Sequence, residues 1–171
     1  MWDPEENKLA ETNMNKTTNL ILAASIVAAI VGFTWVDNAR GSHDLDAATK
    51  QQIMKVLDDY MNTFNAHDLK GWEATYQFPH YRLASGTMSV LETAGTRDST
   101  VAFTALAKAG WHHSKWDHRN IVQVSADKVH VDTRFSRYRA DGSKIGEYES
   151  LYILTKENGR WGVKMRSSYA E

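Results

Sequence analysis

An uncharged apolar run stands near the start of the chain. Residues 20–36 read LILAASIVAAIVGFTWV and are flanked by polar stretches on both sides. This length, about 17 residues, is the short end of what an apolar helix needs to cross a bilayer. Ala24, Ala28 and Gly32 recur every fourth residue, which places small side chains on one helix face where another transmembrane helix can pack. We therefore predict a single-pass membrane anchor with a possible helix partner.

The same run has a second interpretation, as a secretory signal that is cleaved. Translation from Met14 would place a short basic leader, MNKTTN, before the apolar residues. The anchor is favoured because Asp37-Asn38-Ala39 puts an aspartate where signal cleavage needs a small residue. Both interpretations predict an exported domain, membrane-bound in one case and secreted or periplasmic in the other. The predicted segments are a polar N-terminal segment (1–19), the apolar helix (20–36), a linker (37–46) and one domain (47–171).

Beyond the linker, apolar positions first recur at steps of three and four residues, as in helices with one buried face. The first predicted helix, Ala47 to Asn65, buries Ile53, Val56, Leu57, Tyr60, Met61 and Phe64. Asp68 caps a second helix that ends at Phe78-Pro79 and carries Leu69, Trp72 and Tyr76. Asp98 or Ser99 caps a third, which turns inward Val101, Phe103, Leu106 and Ala107.

Alternating apolar and polar positions then predict strands. Residues 80–92 read as a strand pair that turns at Ser85-Gly86. From Trp116 onward, strand-like runs are broken at three turn signals, two of which are strong hairpin dipeptides. The turns are Ala126-Asp127, Asp141-Gly142 and Asn158-Gly159. The expected fold class is therefore α+β, with a curved antiparallel sheet wrapped around three N-terminal helices.

Two-residue turns would fix the register of the last four strands, because side chains alternate between the two faces of a sheet. Two rows of the core face are then apolar: Val124, Val129, Leu154 and Val163, followed by Val122, Val131, Tyr152 and Met165. The next two rows are Asn120, Thr133, Ser150 and Ser167, and then His118, Phe135, Tyr148 and Tyr169, with Trp116 beyond. Small polar side chains with an aromatic border predict a ligand pocket. The alternative is that they make room for a bulky helix residue such as Trp72 or Tyr76.

The opposite face of the predicted sheet is charged around an apolar centre. Arg134 and Glu149 fall directly opposite each other, so they predict a cross-strand ion pair. Leu151 and Ile153 lie between the charges, and such a face suits a homodimer interface. The same register assigns Arg166 to this face.

Composition narrows the possible partners. Lysine and arginine number 20 against 21 for aspartate and glutamate, so no bulk charge favours nucleic acid. The absence of cysteine removes thiolate nucleophiles and thiolate metal sites. His112 and His113 would point to opposite faces of a strand, so we expect no metal site there. We expect no cofactor either.

Two stretches of the domain resemble a known superfamily. DDYMNTFNAHDLKGWEATY and RYRADGSKIGEYESLYILTKENGRWGVKMRSSYA are similar to the start and end of nuclear transport factor 2, SnoaL-like and ketosteroid isomerase domains. The resemblance implies a cone-shaped fold around a deep pocket, often in a dimer. It makes Tyr60 the counterpart of an oxyanion-binding tyrosine. The two isomerase carboxyl groups would fall near Leu83 or Ala84 and near Leu151, so steroid isomerisation by that mechanism is not expected.

Candidate chemistry centres on histidine, because the predicted core face carries no carboxylate. His118 is the candidate acid-base residue, with Tyr60 beside it, since histidine titrates nearest neutral pH. His80 and Arg82 are placed at the pocket mouth, where they could hold an anion. We expect a membrane-tethered or exported pocket protein that binds a small organic ligand or performs cofactor-free acid-base chemistry on it. The alternative is an anchored accessory subunit of a membrane complex.

Overall fold

The computed structural model describes residues 45–170. The predicted anchor or signal helix at 20–36 lies outside the described residues, and so does nearly all of the predicted linker. Among the helices that are described, none is long and apolar enough to cross a membrane.

The first helix has the predicted bounds. Helix α1 spans Ala47–Asn65. It begins where the Asp46 carboxylate accepts a hydrogen bond from the Thr49 backbone N–H at 2.8 Å, which satisfies one of the unpaired donors of the first turn. One face of α1 packs into the core through Ile53, Leu57, Tyr60 and Met61.

The second helix is shorter than its apolar pattern predicted. Helix α2 spans Leu69–Ala74, and the Asp68 carboxylate caps it by accepting from the Gly71 N–H at 2.9 Å. The cap was predicted correctly, but Tyr76 opens strand β1 (Tyr76–Ala84), which runs through Phe78-Pro79, where the helix was predicted to end. Tertiary pairing overrides the helical spacing here, because the Thr75 carbonyl accepts from the Val163 N–H of another strand.

The third predicted helix is two single turns. Helix α3 spans Ser99–Ala102 and helix α4 spans Thr104–Lys108. Two residues predicted to face inward, Val101 and Ala107, are exposed, whereas Phe103 and Leu106 are half-buried. The break at Phe103 rotates the face that a continuous helix would have buried.

Among residues 45–170, six strands form one mostly antiparallel sheet in the order β2-β1-β6-β5-β4-β3. The one parallel contact joins β1 to β6 and attaches the predicted strand pair to the predicted meander. The α+β class is thereby confirmed. The strands are β1 Tyr76–Ala84, β2 Thr87–Leu91, β3 His113–Val124, β4 Lys128–Tyr138, β5 Lys144–Glu157 and β6 Arg160–Ser168.

Irregularities in the register decide which side chains face the helices. The first predicted row, Val124, Val129, Leu154 and Val163, is present. Register shifts then follow between Trp116 and His118, between Ile121 and Gln123, and on the β5–β6 pair near Leu154. Each extra residue of a bulge turns the side chains after it to the other face.

The inner face therefore differs from the predicted one in both outer strands. On β3, Ile121 and Arg119 pair with Val131 and Thr133, in place of Val122 and Asn120. On β6, Arg166 pairs with Tyr152 and Ser168 with Ser150, in place of Met165 and Ser167. The assignment of Arg166 to the outer face was wrong, and this residue is only 8% exposed.

Candidate functional site

Two members of the predicted polar row, Thr133 and Ser150, are packed on the inner face together with Ser168. The Thr133 hydroxyl donates to the Ser150 carbonyl at 3.0 Å, and the Ser150 hydroxyl donates to the Ser168 hydroxyl at 2.8 Å. All three side chains are buried. Both donors therefore have a partner within the sheet, and the three side chains belong to the core.

Four of the predicted site residues lie away from the inner face or at its margin. His118 lies on the outer face, where its Nε2 atom is 3.1 Å from the Asp132 carboxylate. Asn120 is exposed on the same face, Ser167 pairs with the outer residue Leu151, and Tyr169 is 81% exposed. The β3 and β6 bulges are the physical reason, since each moves side chains to the other face.

The aromatic residues predicted around the pocket form a cluster under α1. The Tyr60 ring packs edge-on against Tyr152 and Trp72, with centroids 5.4 and 5.5 Å apart. Trp116 contacts Tyr152 and donates its indole N–H to the Leu57 carbonyl. Tyr148 lies further along the same face, against Phe135. This cluster contacts the guanidinium of Arg166 through Tyr60 and Tyr152.

One group of described residues on the outer face has donor atoms suited to a cation. His118, Asp132 and Glu149 each place a donor atom within 4.8 Å of the other two. Their existing contacts already account for the grouping, because His118 binds Asp132 and the predicted Arg134–Glu149 pair is present at 3.7 Å. The two carboxylates are about half-exposed, so solvent screens them.

A pocket of about 620 Å³ opens between strands β1 and β2, helices α1 to α4 and the last parts of β4 and β6. That volume is typical of small-molecule sites. Of the predicted site residues, His80 and Arg82 line it. The polar lining also includes Arg97, Arg137 and Arg166, and the apolar lining includes Phe64, Trp72, Val90, Leu91 and Leu106.

Arg166 forms the inner end of the pocket. Its Nη1 atom donates to the Tyr60 hydroxyl at 2.8 Å and lies 3.5 Å from the Tyr152 hydroxyl. Its Nε atom is buried and has no hydrogen-bond partner among the described residues. A buried guanidinium keeps its charge, and an unpaired buried charge is costly. Phenol groups reduce that cost only in part, so Arg166 retains the capacity to bind an anion.

A second arginine lies directly beside it. The parallel pairing of β1 with β6 puts Arg82 opposite Arg166, and both side chains line the pocket. Burial, and then the neighbouring Arg166 cation, lower the pKa of Arg82 from its ordinary value. No carboxylate in the described part of the chain forms an ion pair with either arginine. Two like charges on adjacent strands repel each other, and a bound anion would remove that repulsion.

Two further arginines are held against aromatic rings at the pocket wall. The Arg97 guanidinium lies 4.8 Å from the centre of the Trp72 ring, and that of Arg137 lies 4.7 Å from the Tyr148 ring. Ring faces attract cations electrostatically. Arg97 also approaches the buried Glu73 carboxylate at 3.7 Å, and the other Glu73 oxygen accepts from the Gly95 N–H. The described lining itself contains no carboxylate.

His80 contributes a neutral imidazole to this cationic wall. Its Nδ1 atom is 3.0 Å from the Val163 carbonyl, and its ring stacks on Tyr76 at 3.9 Å between centroids. Burial lowers the pKa of His80 to about 4, against the effect of the Val163 hydrogen bond. The cations Arg166, Arg97 and Arg82 add to the lowering. At neutral pH the ring is uncharged.

Sequence reasoning missed most of this site for two reasons. Strict alternation along β6 placed Arg166 outside, because no local signal marks the bulge before it. Arg97 lies in a loop and Arg137 near the end of a strand, and each resembles an ordinary solvated arginine in the sequence. The signal that did exist was the alternation of His80 and Arg82 on the first strand.

Comparison with protein families identifies the fold. A family model described as NTF2-like protein (DUF6841) matches residues 50–169. The chain belongs to this NTF2-like family. The match spans all six strands and most of α1, so the predicted resemblance to the nuclear transport factor 2-like superfamily is confirmed.

Solved structures show the same cone-shaped α+β fold at low identity. A protein of unknown function with a cystatin-like fold from Nostoc punctiforme is 15% identical over 74% of this chain and 94% of its own, with a TM-score of 0.59. A ketosteroid isomerase-like protein from Erwinia carotovora atroseptica is 20% identical over 70% of this chain and 93% of its own, with a TM-score of 0.54. No curated protein matches the chain. At these identities the likeness shows the fold alone.

Proposed function

We propose that the domain binds a small organic molecule carrying an anionic group, which is held by Arg166 and Arg82. The observation that carries this proposal is the pairing of two arginines on adjacent strands, inside a pocket, without a carboxylate partner in the described part of the chain. A carboxylate, sulfonate or phosphate can accept from both guanidinium groups at once. Such charge-assisted hydrogen bonds are stronger than neutral ones.

The rest of the pocket supports a ligand with an apolar body. Phe64, Leu91 and Leu106 line it together with several alanines. An apolar cavity with a few convergent polar groups is the common form of a small-molecule site. The ligand's acid group would lie on Arg166 and its hydrocarbon part against α4 and β2. The pocket also supports this function over the alternative of an accessory subunit, which predicts a filled core.

The test compares acids with neutral molecules of the same shape. Phenylacetate and phenylacetamide differ in charge at one end only, and binding of each is measured by saturation-transfer NMR and calorimetry at low salt. We expect the acid to bind at least about tenfold more tightly, because a hydrogen bond to a charged group contributes about 1.5–3 kcal/mol. Sulfonate and phosphate-ester analogues extend the comparison to other anions.

Variants of two arginines locate the site. Arg82→Met keeps much of the side-chain volume and removes the charge, and it should weaken phenylacetate binding about tenfold. Arg134→Met is the matched control, because Arg134 lies on the outer face with Glu147 and Glu149. Equal binding of the acid and the amide contradicts the proposal. So does an Arg82→Met protein that binds the acid as well as the wild type.

We also propose that residues 20–36 tether this pocket domain to a membrane. The support is the sequence itself, an uncharged apolar run of membrane length with small residues at every fourth position. A tethered pocket would sample ligands close to the membrane surface.

A further inference from the structure

Inside the arginine pocket, His80 presents one nitrogen that the fold leaves unused. Its Nδ1 atom lies 3.0 Å from the Val163 carbonyl oxygen, which can only accept a hydrogen bond. The proton of the neutral ring is therefore on Nδ1, and Nε2 carries a lone pair. Nε2 has no hydrogen-bond partner among residues 45–170, although the side chain is only 4% exposed and lines the pocket.

Packing fixes the direction in which this lone pair points. The imidazole lies parallel to the Tyr76 ring, with 9° between the planes, while the Val163 bond holds its other edge. Two contacts of different kinds leave the ring little freedom to rotate. Strand β1 carries His80 and Arg82 two residues apart, so both side chains point to the same face of the sheet. A hydrogen-bond acceptor thus lies next to the proposed anion site.

We propose that the ligand is a hydroxy acid, with its acid group on Arg82 and Arg166 and its hydroxyl donating to Nε2 of His80. This inference rests on the proposed function and adds the substrate class. A ligand that has only an acid group would displace solvent from this pocket-facing acceptor without replacing the hydrogen bond, which costs free energy. A hydroxyl group a few bonds from the acid satisfies it. The surrounding arginines cannot accept a hydrogen bond, whereas Nε2 of His80 can.

Matched pairs of acids test the role of the hydroxyl. Phenylacetate is compared with each enantiomer of mandelate, and 3-phenylpropionate with phenyllactate and with 3-hydroxy-3-phenylpropionate, at neutral pH by calorimetry. We expect at least one hydroxy acid to bind about fivefold or more tightly than its parent acid, and one enantiomer to bind more tightly than the other.

The His80→Asn variant separates this role from packing. The asparagine amide can still donate to the Val163 carbonyl in place of Nδ1, but it places no acceptor where Nε2 was. The variant should lose the preference for the hydroxy acid, measured as the ratio of hydroxy-acid to parent-acid affinity within the same protein. His80→Gln, which can place an amide oxygen near the position of Nε2, should recover part of the preference.

The outcomes distinguish the two proposals. If no acid binds, the proposed function fails, and this inference fails with it. If the parent acids bind but no hydroxy acid binds more tightly, the anion site stands and the inference is wrong. A preference that persists in His80→Asn also overturns it, since the hydroxyl would then be recognised elsewhere.

Discussion

At the residue scale, a single buried histidine combines three constraints. His80 donates to a backbone carbonyl, stacks on Tyr76 and faces Arg166, Arg97 and Arg82. Each of these cations disfavours protonation of the ring, and burial disfavours it further. The result is a histidine that stays neutral far below the pH at which an exposed histidine becomes protonated.

This shift predicts a loss of stability in mild acid. The pKa of His80 is about 4 in the folded protein and about 6.5 when the chain is unfolded. Between these values the unfolded chain binds more protons, so the free energy of unfolding falls as pH drops from about 7 to about 4. The His80 contribution is up to about 3 kcal/mol. The measurement is urea unfolding across this pH range.

Comparison with His80→Asn isolates this contribution from other titrating groups. The asparagine does not titrate, so the stability difference between the wild type and the variant should change by about 3 kcal/mol across the window. A difference that stays constant from pH 7 to pH 4 would show that His80 is not buried beside these cations.

At the element scale, the parallel contact between β1 and β6 creates the site. That pairing places Arg82 opposite Arg166 and brings the first two strands to the end of the four-stranded meander. Without this pairing, the two arginines would not be brought together in space. The pairing costs stability in the free protein because like charges face each other.

Removing one charge from this pair should stabilise the protein without ligand. Arg82→Met is expected to raise the free energy of unfolding by about 0.5 kcal/mol at low salt, because like-charged cross-strand pairs are destabilising. The gain should shrink as salt is added, since ions screen the repulsion. Thermal unfolding at several chloride concentrations measures both effects. An Arg82→Met protein that is less stable than the wild type at low salt contradicts the expected repulsion.

At the scale of the whole molecule, the core of the described residues draws its members from residue 45 onward. Its buried members run from Ile53 to Val163 and Ala170. The family match begins at residue 50 and ends at 169. Helix α1 also retains its cap in a chain that begins at Leu45, because Asp46 supplies it.

We therefore expect a fragment lacking residues 1–44 to fold, remain soluble and bind acids as the full chain does. The full chain should instead stay in the membrane fraction after an alkaline carbonate wash, since an integral helix resists extraction. Circular dichroism, thermal unfolding and fractionation of both proteins provide the measurements. An unfolded fragment would place the domain boundary elsewhere, and extraction of the full chain by carbonate would argue against the proposed anchor.

Local signals in the sequence determined the elements and their order. The apolar stripe of α1 and the cap at Asp68 were sufficient to predict where these two helices begin, because both signals depend on residues within one or two turns. The dipeptides Ser85-Gly86 and Asn158-Gly159 fixed two hairpins in the same way, since they supply the positive φ angles that such turns need. The superfamily followed from these elements together with the resemblance. The homodimer, the anchor and the catalytic role of His118 stay predictions.

Only the tertiary structure decided where the pocket is and what it contains. Bulges in β3 and β6 moved His118 out and Arg166 in, and no residue type in those strands announces a bulge. A one-residue shift reverses every later side chain, so a register derived from turns alone accumulates such errors along a strand. The turn-derived register placed Arg166 on the outer face, and its residue type did not oppose that placement, because arginines are rarely buried without partners. Its place beside Arg82 depends on the pairing with β1, which lies 84 residues earlier in the chain. No local pattern encodes that long-range pairing.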